Sequence, residues 1–142
     1  MNDSPQSSTT SIPDYYMGRI LLIGFAGLIG TLSRYFLAGV IGRRFGESFP
    51  IGSLVINVVG CFLAGFFFYL LQERSLVSET VRLAIMVGFL GGFTTFSAFG
   101  LQTFTLFRDG EMLLACMNLI VSNLVGLFFV WVGFLLARTL VS

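Results

Sequence analysis

Gly91-Gly92-Phe93-Thr94-Thr95-Phe96-Ser97-Ala98-Phe99-Gly100 lies inside a segment otherwise apolar enough to cross a membrane. A lipid-spanning helix gains nothing from paired glycines, two threonines, a serine and three phenylalanines in ten residues. In hydrocarbon every freed backbone group is costly unless something satisfies it. Irregular backbone at membrane depth is tolerated where it lines a cavity or binds an ion. The stretch therefore predicts a membrane helix broken near Gly91–Thr94, with function at the break.

The rest of the chain agrees with a membrane setting. It is 56% hydrophobic and 11% charged, with mean hydropathy +0.92, far from the composition of a soluble domain. A span needs about 20 apolar residues. Four segments qualify: about Ile20 to Ile41, Ile51 to Leu71, Arg82 to Phe107 and Met112 to Ala137. Their short connections predict one four-helix transmembrane unit over residues 19–142. Residues 1–18 are rich in Ser, Thr, Pro and Asp and read as a flexible polar tail. No basic stretch precedes an apolar core there, so the tail does not read as a signal peptide. Cys61 and Cys116 fall inside spans and read as small apolar packing residues.

All eight cations are arginines. Alternating spans place Arg19, Arg74, Arg82 and Arg138 on one side, and Arg43, Arg44, Arg108 and, less firmly, Arg34 on the other. Orientation in the membrane follows an imbalance of such charges, and four against four gives none. The balance predicts insertion in both orientations, with opposite copies pairing about a two-fold axis in the membrane plane.

All seven acidic residues fall outside the apolar cores. That argues against a proton-coupled cation exporter and against an acid-ringed cation pore. An enzyme is not expected, for the chain has no histidine, no buried acid pair and no nucleophile beside a base.

Inside the spans the polar residues are mostly neutral donors. Gly27, Gly30 and Thr31 make a small face that permits close helix approach. Arg34 either snorkels to the headgroups or sits as a buried charge that draws anions or caps helix carbonyls. Asn57, in a stripe with Ser53, Gly60 and Ala64, serves as interhelical glue or offers amide donors to an ion. Thr94 and Thr95 place hydroxyls beside the break. Phe96 and Phe99 share a helix face, and the positive edges of their rings can contact a small anion, although ordinary packing also accounts for them. Asn118, Ser122 and Gly126 form a polar track in the fourth span.

Together these residues resemble the small fluoride channels known as Fluc or CrcB, from about Arg19 to Ala137. The signature is Gly91–Phe99. Gly27-Leu-Ile-Gly-Thr-Leu-Ser-Arg34-Tyr35 looks like the family's first-helix motif, and Gly52-Ser-Leu-Val-Ile-Asn57-Val-Val-Gly60 like its second. The resemblance implies an antiparallel dual-topology homodimer in a bacterial inner membrane, with two passive fluoride pores. It implies a structural sodium ion held by main-chain carbonyls at Gly91 and Thr94. It assigns the pore to Asn57, Phe96, Ser97, Phe99, Asn118 and Ser122, with Arg34 and Thr95 in vestibule or structural roles. Fluoride, sodium, lipid and a second copy are the implied partners, and nucleic acid is not one. Three positions depart from the family pattern: Ala98 where Thr or Ser is usual, Gln102 where Glu is common, and Gly126 where some members carry Ser or Thr. A small multidrug exporter, also four short helices able to insert both ways, is the alternative.

Overall fold

The computed structural model describes residues 14–45 and 51–141. Its elements are α1 (Asp14–Phe45), α2 (Ile51–Phe67), α3 (Glu79–Leu83), α4 (Leu90–Phe93), α5 (Phe96–Arg108) and α6 (Met112–Leu140). Two wide π-type segments join them. Phe68–Glu73 extends α2, and Ala84–Phe89 links α3 to α4. The described residues contain no strand.

Four stretches are long and apolar enough to cross a membrane: Tyr16–Arg44, Ile51–Glu73, Glu79–Arg108 and Met112–Leu140. The protein is an all-α membrane protein with several spans. The stretches overlie the expected segments but mostly run past them, because a helix does not stop where hydrocarbon stops. At 1.5 Å per residue α1 is about 48 Å long, well beyond a hydrocarbon core of about 30 Å. Its first turns, Asp14–Gly18, belong to the stretch expected to be tail. The remainder of that tail, residues 1–13, lies outside the described residues, as does the connection at residues 46–50.

Glycines set how closely the helices approach, as membrane packing favours. A Cβ on Gly30 would overlap the Phe89 carbonyl oxygen and lie 2.9 Å from the Phe93 nitrogen. Gly27 faces Gly88, so α1 lies directly on the backbone of the third span. The small face at Gly27 and Gly30 thus meets a matching one. α2 and α6 pair in the same way: Gly65 sits against the Val130 carbonyl and Gly133 against that of Phe62. Buried between the spans are Ile56, Leu90, Phe93, Phe99 and Ala115, while Phe25, Tyr35, Leu113, Leu127 and Trp131 are exposed. A water-soluble protein would reverse much of that pattern. In lipid an apolar exterior carries no penalty.

Side-chain contacts tie three chain segments at one end of the bundle. Arg19 pairs with Glu79 at 3.0 Å. Arg74 donates to the Val141 carbonyl (3.0 Å) and, through Nε, to the Tyr69 hydroxyl (3.1 Å). At the opposite end α5 closes with Gly110 at φ 82°, where Gly110 N–H bonds to Phe107 O and Glu111 N–H to Leu106 O. This is a glycine-dependent helix stop. Beside it Arg108 donates to Asp109 at 2.8 Å, and that hydrogen bond holds the Asp109 carboxyl below its usual range. Both cysteines are free thiols. Cys61 packs against Gly126, as expected, but Cys116 is exposed on the outer face of α6.

Candidate functional site

The third span is interrupted between α4 and α5. Thr94 (φ −89°, ψ 158°) and Thr95 (φ −151°, ψ 114°) are extended. Gly91 and Gly92 lie just before them, inside α4. Gly92 serves close approach: a Cβ there would meet Gly27 O and come within 3.0 Å of Thr31 Oγ1. Extended backbone suits β-branched threonine, and each threonine closes part of the gap. Thr94 Oγ1 donates to Leu90 O (2.9 Å), and Thr95 Oγ1 accepts from Ala98 N–H (3.3 Å), capping α5.

Two other spans satisfy one freed carbonyl and one freed N–H. Arg34 Nε donates to Gly92 O at 3.1 Å, so the half-buried guanidinium caps the end of α4. Thr95 N–H donates to Asn57 Oδ1 at 3.3 Å. That bond fixes the Asn57 amide: its oxygen faces the backbone, and its NH2 group keeps two donors for other partners. In an unbroken helix Thr95 N–H would have served Gly91 O instead.

Beside the interruption is a cavity of about 430 Å³. Of the residues singled out in the sequence, Asn57, Phe96, Phe99 and Ser122 line it, together with Gly91, Thr94 and Thr95. The Phe96 and Phe99 ring centroids are 5.6 Å apart. Phe99 is buried, whereas Phe96 is 82% exposed. The cavity therefore combines amide and hydroxyl groups with two aromatic rings and no carboxylate, a lining whose N–H and O–H donors suit an acceptor-only anion.

Three of the singled-out residues lie outside the cavity wall. Arg34 is spent on Gly92. Ser97 is exposed, with its hydroxyl 3.2 Å from that of Thr95. Asn118 is 2% exposed and belongs to a buried chain of hydrogen bonds. Ser122 Oγ donates to Asn118 Oδ1 (3.3 Å), Asn118 Nδ2 to Thr103 Oγ1 (2.8 Å), and Thr103 Oγ1 to Phe99 O (2.8 Å). Thr103 has no counterpart among the residues chosen from the sequence. A second pair, Gln102 Nε2 to Ser53 Oγ at 2.8 Å, links α5 to α2 and leaves Gln102 Oε1 buried without a partner. The signal for both was a polar residue at helical spacing on an apolar helix, which by itself names no partner.

A family model described as "CrcB-like protein, Camphor Resistance (CrcB)" matches residues 21–134. Among curated proteins the chain is similar to the "Fluoride-specific ion channel FluC" of Citrifermentans bemidjiense, 42% identical over 124 residues, covering 87% of this chain and all of that protein. The protein of the same name from Geobacter sulfurreducens is also 42% identical, and that from Aquifex aeolicus 38%, with the same coverage. A match over the four spans and full-length alignment to these relatives give one answer: the chain belongs to the CrcB family.

Proposed function

We propose that this chain forms a passive, fluoride-selective channel that lets F⁻ leave the cell and so limits fluoride toxicity. The observation that carries the reading is the cavity beside the interruption, lined by Asn57, Ser122, Phe96 and Phe99 and by no carboxylate. Fluoride is small and tightly hydrated, so its passage requires donors that replace water. Asn57 is suited to the task because its oxygen is occupied by Thr95 N–H and its NH2 group is not. Phe96 and Phe99 offer ring hydrogens, Ser122 adds a hydroxyl on the cavity wall, and Ser97 and Asn118 support the wall through their bonds to Thr95 and Ser122. Contacts that are several and weak allow an ion to leave as readily as it enters. Flux follows the fluoride gradient and the membrane potential. The names of the relatives support the choice of anion. A multidrug exporter is not favoured, since no span core holds an acidic residue to couple to protons.

The working unit in this reading is an antiparallel, dual-topology homodimer with two pores in the inner membrane. Gly91 and Thr94 would hold a sodium ion through their main-chain carbonyls. The donor set fits: these are neutral oxygens at an interrupted helix, and the N–H that would have bonded to Gly91 O is used on Asn57. Gly91 is also exposed, with open space above its Cα. Bound there, a sodium ion would supply positive charge next to the anion path, and Arg34 would hold the neighbouring Gly92 carbonyl in place.

The decisive experiment is efflux from liposomes containing the purified protein, read with a fluoride electrode. Fluoride release well above that of protein-free vesicles, with no comparable release of quaternary cations, is the expected result. Vesicles that retain their fluoride would overturn the proposal.

A further inference from the structure

The buried chain from Ser122 to Phe99 O runs in one sense only, and Thr103 is the reason. A hydroxyl has one proton. That of Thr103 is committed to Phe99 O at 2.8 Å, in a site where Thr103 is 5% exposed. Toward its other neighbour Thr103 can therefore only accept. Asn118 answers with its NH2 group, which turns its Oδ1 toward Ser122. Reversing the amide would set two acceptors against each other in a buried site, an expensive arrangement.

From this we infer that Thr103 is a positioning residue for the anion path: it fixes the orientation of the Asn118 amide and, through it, the polarity of Ser122. The inference rests on the fluoride reading above. Its consequence begins at the cavity wall, where Ser122 lies. The Ser122 hydroxyl donates to Asn118 Oδ1 through a long 3.3 Å bond, so rotation about one bond redirects it toward an arriving anion. Only the weakest link of the chain is exchanged. The 2.8 Å Asn118–Thr103 bond holds meanwhile and keeps the second amide hydrogen of Asn118, which neither bond uses, in a constant direction. Without the Thr103 hydroxyl the amide can turn over: its oxygen then takes the place of the NH2 group, Ser122 meets NH2 instead of Oδ1, and the fixed donor order beside the cavity is lost. Thr103 does not line the cavity, so its effect is transmitted and not direct.

The back-bond from a threonine to the carbonyl four residues before it does little for helix stability. Thr103→Val keeps the shape of the site but removes the partner of the buried Asn118 Nδ2, so it should lower the melting temperature somewhat while the protein still folds. Fluoride efflux is measured for the wild type, Thr103→Val, Thr103→Ser, Ser122→Ala and Thr103→Val/Ser122→Ala. Thr103→Val should lower flux by about tenfold, the factor that one hydrogen bond in the barrier supplies. Thr103→Ser should restore it, and the double variant should fall less than the product of the two single effects. A second readout does not depend on flux. In protein labelled with ¹⁵N-asparagine, the Asn118 side-chain amide, identified by its loss in Asn118→Ala, should show two protons of unlike shift and exchange. The proton bonded to Thr103 should lie downfield and exchange slowly with water; in Thr103→Val it should move upfield and exchange faster, and in Thr103→Ser it should keep both properties. If Thr103→Val does not assemble, Thr103→Ala, which creates no crowding, takes its place. An unchanged amide signal, wild-type flux or independent single effects overturns the positioning role. If the wild type itself fails to conduct, the fluoride reading falls, and the amide signal still decides whether Thr103 orients Asn118.

Discussion

At the scale of single residues, the cavity separates side chains that hold the fold from side chains that line its wall. Phe99 does both, being buried within its subunit, whereas Phe96 is 82% exposed. Phe96→Ile is therefore the cleaner test: it removes a ring edge and almost no packing from the protomer. Its fluoride efflux should drop to the level of empty vesicles with an unchanged elution volume, and retained flux would remove that ring from the path. Asn57 allows a sharper division. Asn57→Asp keeps an oxygen for Thr95 N–H, so the interruption should hold its shape and the protein its melting temperature. The donors are gone, however, and two like charges 4 Å apart repel by about 4 kcal/mol at an effective dielectric of 20. Efflux from Asn57→Asp should be undetectable, and robust efflux would reduce Asn57 to interhelical glue. Asn57 stood out in the sequence as a lone polar residue in an apolar stretch, whereas Phe96 and Phe99 stood out only through their place in the Gly91–Phe99 motif. Thr103 was not, because a lone threonine on an apolar helix usually bonds to its own backbone. Its meaning came from Asn118, which reaches it from a different span.

At the scale of elements, hydropathy located all four spans but not the geometry inside them. The two π-type segments carry no mark in the amino-acid pattern. The one at Ala84–Phe89 reflects tertiary demand: Gly88 and Gly92 must both meet α1, and a wide turn adjusts the phase of the helix between them. The glycine pair was the conspicuous breaker in the sequence, yet the extended residues are Thr94 and Thr95. Gly92 is needed for its missing side chain more than for its backbone freedom. The same logic separates two glycines of α1. Gly30→Ala drives a methyl group into the Phe89 carbonyl and should destabilise the protein by about 1–3 kcal/mol. Gly39 has open space around it, and Gly39→Ala should be neutral or stabilising by up to about 1 kcal/mol through helix propensity. Thermal unfolding in one detergent checks both, and equal melting temperatures would mean that α1 does not lie on the third span as closely as described.

At the scale of the whole molecule, the open question is what faces Gly91 and Phe96, which their own subunit leaves exposed beside the cavity. A second copy in the opposite orientation suits the arginine balance, and that balance can be shifted. Arg82→Gln with Arg138→Gln leaves Arg19 and Arg74, two charges against four. Arg43→Gln with Arg44→Gln leaves Arg34 and Arg108, two against four in the other sense. Neither pair touches Arg19–Glu79, the Arg74 contacts or the Arg34 bond to Gly92. Each should insert in one preferred direction, read by labelling an engineered cysteine at either end of the bundle with an impermeant thiol reagent. A dual-topology pair needs both directions in one membrane. Each variant expressed alone should therefore leave fluoride-sensitive cells unprotected, and the two expressed together should restore protection. Full protection by either variant alone, despite a single direction of insertion, would show that the functional unit is built from subunits of like orientation.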